Sequence, residues 1–189
     1  MRIVAGTFRG RSLVAPKGQS TRPTADRTRQ ALFNVLEHAS WAPSLDGRRV
    51  IDLFAGSGAL GLEAMSRGAA FCLFLDRNAA ARDAIAANVE TLRLTDRVRI
   101  DRRDAATLSA RTSADGPPFD LIFLDPPYGQ GLGEVALARL AAGDWLGPGA
   151  VVTLERGQGD PTPTPDGFTQ LDERTWGAAR VSFLSPLAP

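Results

Sequence analysis

An α/β fold, with a mostly parallel sheet and helices on both faces, is predicted by three features of the sequence. Short apolar runs alternate with longer helix-forming stretches from residue 49 onward. The runs at 50–54, 71–75 and 119–124 are close to unbroken in apolar residues, the pattern of strands buried on both faces. Turns bearing glycine or proline follow the strand ends, where a parallel sheet must hand the chain to a crossover helix.

Taken in order, residues 3–5 and 12–14 are short β-prone pieces across a turn containing Gly6 and Gly10, which predicts a hairpin. Residues 15–24, with Pro16, Gly18 and Pro23, read as a loop. Thr24 is placed as the cap of a helix running to His38, with Leu32, Phe33, Leu36 and Ala39 on its apolar face. Then follow strand 50–54, helix 59–67, strand 71–75, the alanine-rich helix 79–92, strand 98–100, a short helix 105–110, strand 119–124, helix 134–142 and strand 150–154. Residues 168–171 and 179–183 have no helix between them and should pair as an antiparallel finish, which makes seven strands. A chain of 189 residues fits one ordinary domain with a small appendage. Residues 1–45 are read as a basic hairpin-and-helix extension and residues 46–189 as the α/β domain.

Hydrophobic residues at 43% and charged residues at 23% are the mix of a soluble globular protein. No apolar run approaches the roughly 20 residues that span a bilayer, and no leader-like segment opens the chain, so a cytoplasmic protein without membrane contact is expected. Cys72 alone offers neither a disulfide nor a cysteine cluster, and with His38 the only histidine no metal site is expected. The net charge of +1 hides an asymmetry: residues 1–36 hold seven cations against Asp26 alone. A basic arm on a slightly acidic body is the footprint of contact with phosphates. Arg2, Arg9, Arg11, Arg22, Arg27 and Arg29 are therefore candidate nucleic-acid ligands.

The string D-L-F-A-G-S-G, from Asp52 to Gly58, lies where a buried strand turns into a helix. Glycines there permit a tight turn and a close approach of ligand to backbone, and the helix beyond presents unpaired N–H groups. With Gly61 the string also fits the dinucleotide pattern, so a nicotinamide enzyme competes. Asp52 discriminates, because at the strand's end it can engage the ammonium of S-adenosylmethionine, which NAD lacks. Phe54, Gly56, Ser57 and Gly58 complete the candidate cofactor loop. Asp76, 18 residues after Gly58, is the candidate ribose ligand, with Arg77 beside it. Asp104 and the backbone of Ala105 are candidates for the adenine.

Asp125, Pro126, Pro127 and Tyr128 follow directly on the strand F-D-L-I-F-L. An exocyclic base amine is a poor nucleophile because its lone pair is delocalised into the ring. Asp125 and the Pro126 carbonyl can accept its two hydrogens and aim that lone pair, Tyr128 can stack on the base, and the prolines hold the geometry. A base inside a helix cannot enter such a pocket, so the target must be unpaired or flipped out.

On these residues the chain resembles the bacterial 16S rRNA guanine-N2 methyltransferase family over nearly its whole length. M-R-I-V-A-G-T-F-R-G-R at 1–11, R-P-T-A-D-R-T-R-Q-A-L-F-N at 22–34, D-L-F-A-G-S-G-A-L-G-L-E-A at 52–64 and D-P-P-Y carry the match. The last two strings mark methyltransferases broadly, and the first two are more selective. The resemblance implies a Rossmann-like class I methyltransferase fold, S-adenosylmethionine as donor, and one guanine of small-subunit rRNA as acceptor. It also implies ribosomal protein as a further contact, and a monomer is expected. One position departs: similar proteins carry an acid two residues before Asp76 as ribose ligand, and here Phe74 stands there.

His38 is read as a surface or capping residue, Trp41, Trp145 and Trp176 as packing, and 129–133 as a mobile loop able to close over the base. Glu155 is either a salt-bridge partner or part of the pocket. The competing readings are an N6-adenine or N4-cytosine methyltransferase using the same D-P-P-Y chemistry, an NAD-dependent oxidoreductase, and a non-catalytic RNA-binding module.

Overall fold

The computed structural model describes residues 1–16, 23–160 and 165–187. Seven strands, β1 (Arg49–Leu53), β2 (Phe71–Leu75), β3 (Val98–Asp101), β4 (Phe119–Leu124), β5 (Leu146–Gly157), β6 (Phe168–Trp176) and β7 (Ala179–Pro186), form one sheet in the order β3-β2-β1-β4-β5-β7-β6. The first five run parallel, and β7 inserts antiparallel between β5 and β6. After β3 the chain returns to the far side of β1, so the strand order reverses between β1 and β4. There the loops after Leu53 and Leu124, which are register partners, leave from one edge and diverge.

Alternation along the strands supplies two cores. Val50, Cys72, Phe74, Leu121, Phe123 and Val151 face the helices α1 (Pro23–His38), α2 (Ala59–Ser66) and α3 (Ala79–Leu92). Ile51, Leu53, Leu73, Leu75, Ile122 and Leu124 face α4 (Leu132–Ala142) together with Trp145. This is why the strands read as continuous apolar runs: both residue parities are buried. The expected fold class, a Rossmann-like sheet with an antiparallel finish, stands. Cys72 is core, and His38 Nδ1 donates to the Asn34 carbonyl, 2.8 Å away, on an exposed helix end.

Several local expectations change. Residues 3–5 and 12–14 do meet as a short hairpin, too irregular for full strands: Ile3 N–H donates to the Arg11 carbonyl at 2.9 Å, Gly10 N–H to the Ile3 carbonyl at 2.9 Å and Leu13 N–H to the Met1 carbonyl at 3.0 Å, around one antiparallel bridge between Arg2 and Ser12. The hairpin is docked on α2, where the N–H groups of Val4 and Ala5 donate to the Glu63 carboxylate at 2.7 and 2.9 Å. Gly6, at φ +77°, lies against α2 so closely that a β-carbon would fall 2.0 Å from the Ser66 carbonyl oxygen. The helix expected from Thr24 starts at Pro23, whose ring suits a first turn, so Thr24 lies within the helix and not at its cap. Residues 105–110 provide only a 3-10 turn, Ala105–Thr107, capped by the Asp104 carboxylate. Gly133 is inside α4 rather than in a mobile loop, against the Leu154 side chain.

The arm is held by a buried ionic cluster. Glu63, fully buried on α2, accepts from Arg67 Nε at 2.9 Å as well as from the arm, and Arg29 Nε of α1 lies 3.5 Å away. Arg67 reaches Glu37 at 2.7 Å, Arg29 reaches Asp26 at 2.8 Å, and the Arg67 guanidinium covers the Phe33 ring at 4.8 Å. Removing one member leaves buried charge without compensation. Glu63→Ala should therefore lose about 3–5 kcal/mol of unfolding free energy, read in a urea titration, and should expose residues 1–16 to protease at native conditions; a loss under 1 kcal/mol would show that the cluster is not cooperative.

Candidate active site

The glycine loop after β1 and the D-P-P-Y loop after β4 line one cleft of about 810 Å³, with the loops after β2 and β3 on its floor and the arm residues Met1 and Pro16 at its wall. The size suits a ligand larger than a simple metabolite. The segments around Gly56 and Tyr128 thus face one another across a shared space.

The glycine loop turns through left-handed residues: Phe54 at φ 60°, Gly56 at 57° and Gly58 at 76°. Phe54 is the costly one, since a β-carbon there opposes the following carbonyl by about 1–2 kcal/mol. Three tethers hold the conformation. Ala55 N–H donates to the Leu75 carbonyl at 3.1 Å, Gly56 N–H donates to Asp76 Oδ2 at 2.9 Å, and Asp52 Oδ2 accepts from Gly61 N–H at 2.9 Å. Asp52 is 1 % exposed, and burial raises its pKa well above the usual carboxylate range despite the Gly61 bond. No cation pairs with it among the described residues. Asp76 also accepts from Asn78 N–H at 2.8 Å, which caps α3's entry, so this acid fixes the loop as well as facing the cleft. Asp104 accepts from Ala106 N–H at 2.9 Å and lies 3.5 Å from exposed Arg77 at the rim. Phe54, Gly56, Ser57, Arg77 and Ala105 border the cleft with these acids. Gly58 instead backs onto Ile85 and Phe74. Phe74 lies beneath the helix, where a β-carbon on Gly61 would meet its ring at 2.4 Å, and it does not reach the cleft.

Across the cleft stand Asp125, Pro126, Pro127 and Tyr128. The Tyr128 ring is 46 % exposed, and its hydroxyl donates to Glu155 Oε1 at the end of β5. Glu155 is thereby resolved as a cleft residue; it forms no ion pair among the described residues. Withdrawal from water, with the Glu155 carboxylate beside it, pushes Asp125 up to about 8. Burial raises Glu155 as well, and burial with the Glu155 bond raises the Tyr128 hydroxyl. Asp125 is exposed toward the cleft, and the Glu155 carboxylate beside it favours its protonated form.

Of the arginines expected to meet phosphate, Arg2, Arg9, Arg11 and Arg27 are exposed. Arg22 lies outside the described residues. Arg29 corrects the expectation of a free cation: it is 4 % exposed, its Nη2 donates to the Arg2 carbonyl and to Asp26, and it holds the arm. Trp176, read as packing, borders the cleft.

Sequence reasoning missed Asn88. It is 1 % exposed on α3; its Oδ1 accepts from Val14 N–H at 2.7 Å, and its Nδ2 donates to the carbonyls of Val14 and Ser57, both at 3.0 Å. One amide thus ties the arm to the glycine loop. Its signal was an amide at position 88 among Ala81, Ala84, Ile85, Val89 and Leu92, the apolar stripe of the helix.

A doubly wound sheet whose switch point carries an acid-tethered glycine loop opposite D-P-P-Y defines a class I methyltransferase. The chain belongs to the family described as conserved hypothetical protein 95, whose pattern matches residues 1–185. Ribosomal RNA small subunit methyltransferase D of Haemophilus influenzae is 34% identical over 177 residues, 94% of this chain and 89% of that one. The protein of the same name from Escherichia coli K12 is 37% identical over 155 residues, 82% and 74% of the two chains. Among solved structures, the Escherichia coli protein yhhF, described as a candidate methyltransferase, superposes with a TM-score of 0.84 at 33% identity, over 100% of this chain and 99% of that one.

Asn88→Ala leaves a buried N–H and two carbonyls short of partners. It should destabilise the fold by roughly 1–3 kcal/mol per unpaired group, with Val14 and Ser57 amides exchanging faster in hydrogen-exchange measurements; unchanged exchange at Ser57 would remove the link between arm and loop.

Proposed function

We propose that this protein transfers a methyl group from S-adenosylmethionine to the exocyclic N2 amine of one guanine in the 16S rRNA of the small ribosomal subunit. The observation that carries this reading is the shared cleft: a cofactor-type glycine loop and D-P-P-Y border the same space. The names of the relatives support the class of acceptor.

The cleft's residues fit that donor. Asp52, buried and without a cationic partner among the described residues, complements an ammonium group. Asp76 is the residue for the ribose, in place of the acid absent at Phe74, and Asp104 with the Ala105 backbone suits the adenine. Phe54, Gly56, Ser57, Gly58 and Arg77 complete the shell, Gly58 by shaping the loop from behind. Asp52, Asp76, Asp104, Asp125 and Glu155 outnumber Arg29, Arg77 and Arg103 along the cleft, a balance that suits a ligand carrying a sulfonium and an ammonium. When bound, the donor supplies an electrophilic methyl group.

This chain's own part is to prepare the nucleophile. Asp125 and the Pro126 carbonyl accept the two amine hydrogens, which frees the nitrogen lone pair from the ring and stabilises the charge gained as the N–C bond forms. The raised proton affinity of Asp125 suits an acceptor for the proton the nitrogen then sheds. Pro127 stiffens the loop, and the Tyr128 ring, held through its hydroxyl by Glu155, stacks on the flipped base. Residues 1–45 act as the RNA-recognition extension, with Arg2, Arg9, Arg11, Arg22 and Arg27 toward phosphates, and residues 46–189 as the catalytic domain. Ribosomal protein is a further contact on the assembled subunit, and the chain works as a monomer in the cytoplasm.

The test is incubation with labelled S-adenosylmethionine and small subunits from cells lacking the protein, followed by mapping of the modified nucleoside. N2-methylguanine is the expected product, and methylated adenine or cytosine would overturn the assignment. Asp125→Ala should lower kcat by at least about 100-fold, the scale of one positioned proton acceptor, while calorimetry finds cofactor affinity within about twofold, since remote contacts hold the cofactor. Neutralising Arg9 and Arg11 should weaken subunit binding and flatten its dependence on log salt by about 1.4–1.8 in slope. An unchanged slope in filter binding would take the arm out of phosphate contact.

A further inference from the structure

Glu155 is the cleft acid that methyl transfer itself does not use. It lies among the last residues of β5, directly after Leu154, the register partner of Leu124, so that it neighbours Asp125 just past β4, and both border the cleft beside the Tyr128 ring. The two acids are close enough for the charge of Glu155 to act on Asp125. The Tyr128 hydroxyl occupies part of Oε1 and fixes the carboxylate's rotation. Among the described residues no other donor reaches Glu155, and no cation pairs with it. A carboxylate is acceptor-only and offers about four lone-pair positions, so most of its capacity faces the cleft unused. A buried or half-buried acceptor in that condition is costly until a donor arrives.

Once ionised, two carboxylates side by side accept from two adjacent donors, and such donors draw the proton off Asp125 by stabilising its charged form. On the Watson–Crick edge of guanine the N1–H and N2–H₂ groups are neighbours and both donate. Adenine offers a donor at N6 beside an acceptor at N1, and cytosine a donor at N4 beside an acceptor at N3. Either would set a lone pair against the second carboxylate. We propose that Glu155 is a specificity-determining residue that accepts the guanine N1–H while Asp125 accepts from N2, so that the pair of acids selects guanine over adenine and cytosine. This rests on the guanine reading above and supplies a physical basis for it.

Replacing the carboxylate by an amide turns one acceptor into a group that can also donate. Glu155→Gln keeps the size of the side chain and an oxygen for the Tyr128 hydroxyl, and its –NH₂ can donate to adenine N1. The experiment compares kcat/KM on small subunits whose 16S rRNA carries either guanine or, by gene replacement, adenine at the mapped nucleotide. For the parent, guanine should be preferred strongly. In Glu155→Gln the guanine-to-adenine ratio should fall by at least about tenfold, the scale of one charge-assisted hydrogen bond. Calorimetry with S-adenosylmethionine should give the parent's affinity within about twofold for the variant, because Glu155 touches the base and not the cofactor. A ratio that does not move, with guanine methylated by both proteins, would overturn the role of Glu155 and leave the proposed reaction standing. Loss of cofactor affinity in the variant would assign Glu155 to the cofactor side and overturn it as well. If the parent methylates adenine or cytosine in native subunits, the reaction itself has been misread, which is a separate outcome.

Discussion

The pairing of β1 with β4, in which Leu53 stands opposite Leu124 in parallel register, is the constraint on which the site depends. Strand parity makes it strict. A slip of one residue would turn Asp52 from the α2 face to the α4 face, away from the Gly61 amide it anchors. It would also break the apolar layers, since Ile51, Leu53, Ile122 and Leu124 pack together on one face while Val50, Leu121 and Phe123 pack on the other. The hydrophobic cores therefore hold the register, and the register sets the glycine loop and the D-P-P-Y loop at one edge. Because the strand order reverses between these two strands, the loops diverge and leave a cleft between them.

Around this frame the polar groups divide into those that hold loops and those that face the cleft. Asp76 and Asp104 do both, since each accepts a backbone N–H from its own turn and still borders the open space. Glu63 and Asn88 belong to the first kind. They reach the arm through bonds that span 58 to 74 residues of sequence and join it to the helix and loop of the cofactor side. The basic extension is thus bonded to the cleft wall, with Met1 and Pro16 part of that wall. The backbone that carries Arg2, Arg9 and Arg11 is consequently tied to the wall of the cleft.

The cleft's acids explain its electrostatic character. Asp52, Asp125 and Glu155 each have a raised proton affinity, with desolvation as the largest cause. Asp52, buried without a cation beside it among the described residues, is costly until something positive or strongly donating meets it. In the proposed reaction a cationic cofactor answers the acid on the glycine-loop side, and the donor edge of guanine answers the pair across from it.

The sequence by itself determined the strands, the helices α2 to α4, the glycine loop, the D-P-P-Y loop and the fold class. These rest on local signals: apolar runs, helical spacing, and turn residues at strand ends. It also marked the acids of the cofactor side, because a doubly wound sheet binds ligands where its strands end. What only the tertiary structure decided are the contacts between segments far apart in the chain. Residues 3–5 and 12–14 carry strand-like residues and meet as the expected short hairpin, yet the N–H groups of Val4, Ala5 and Val14 bond to Glu63 and Asn88, which no local pattern reveals. Arg29 resembles its exposed neighbours in sequence but is buried by the carboxylates it meets, Glu63 and Asp26. Glu155 could have paired with a cation until the fold set it beside Tyr128. Local periodicity reports how a segment sits on the core, whereas the partner of a buried charge is fixed by packing among segments that the sequence keeps apart.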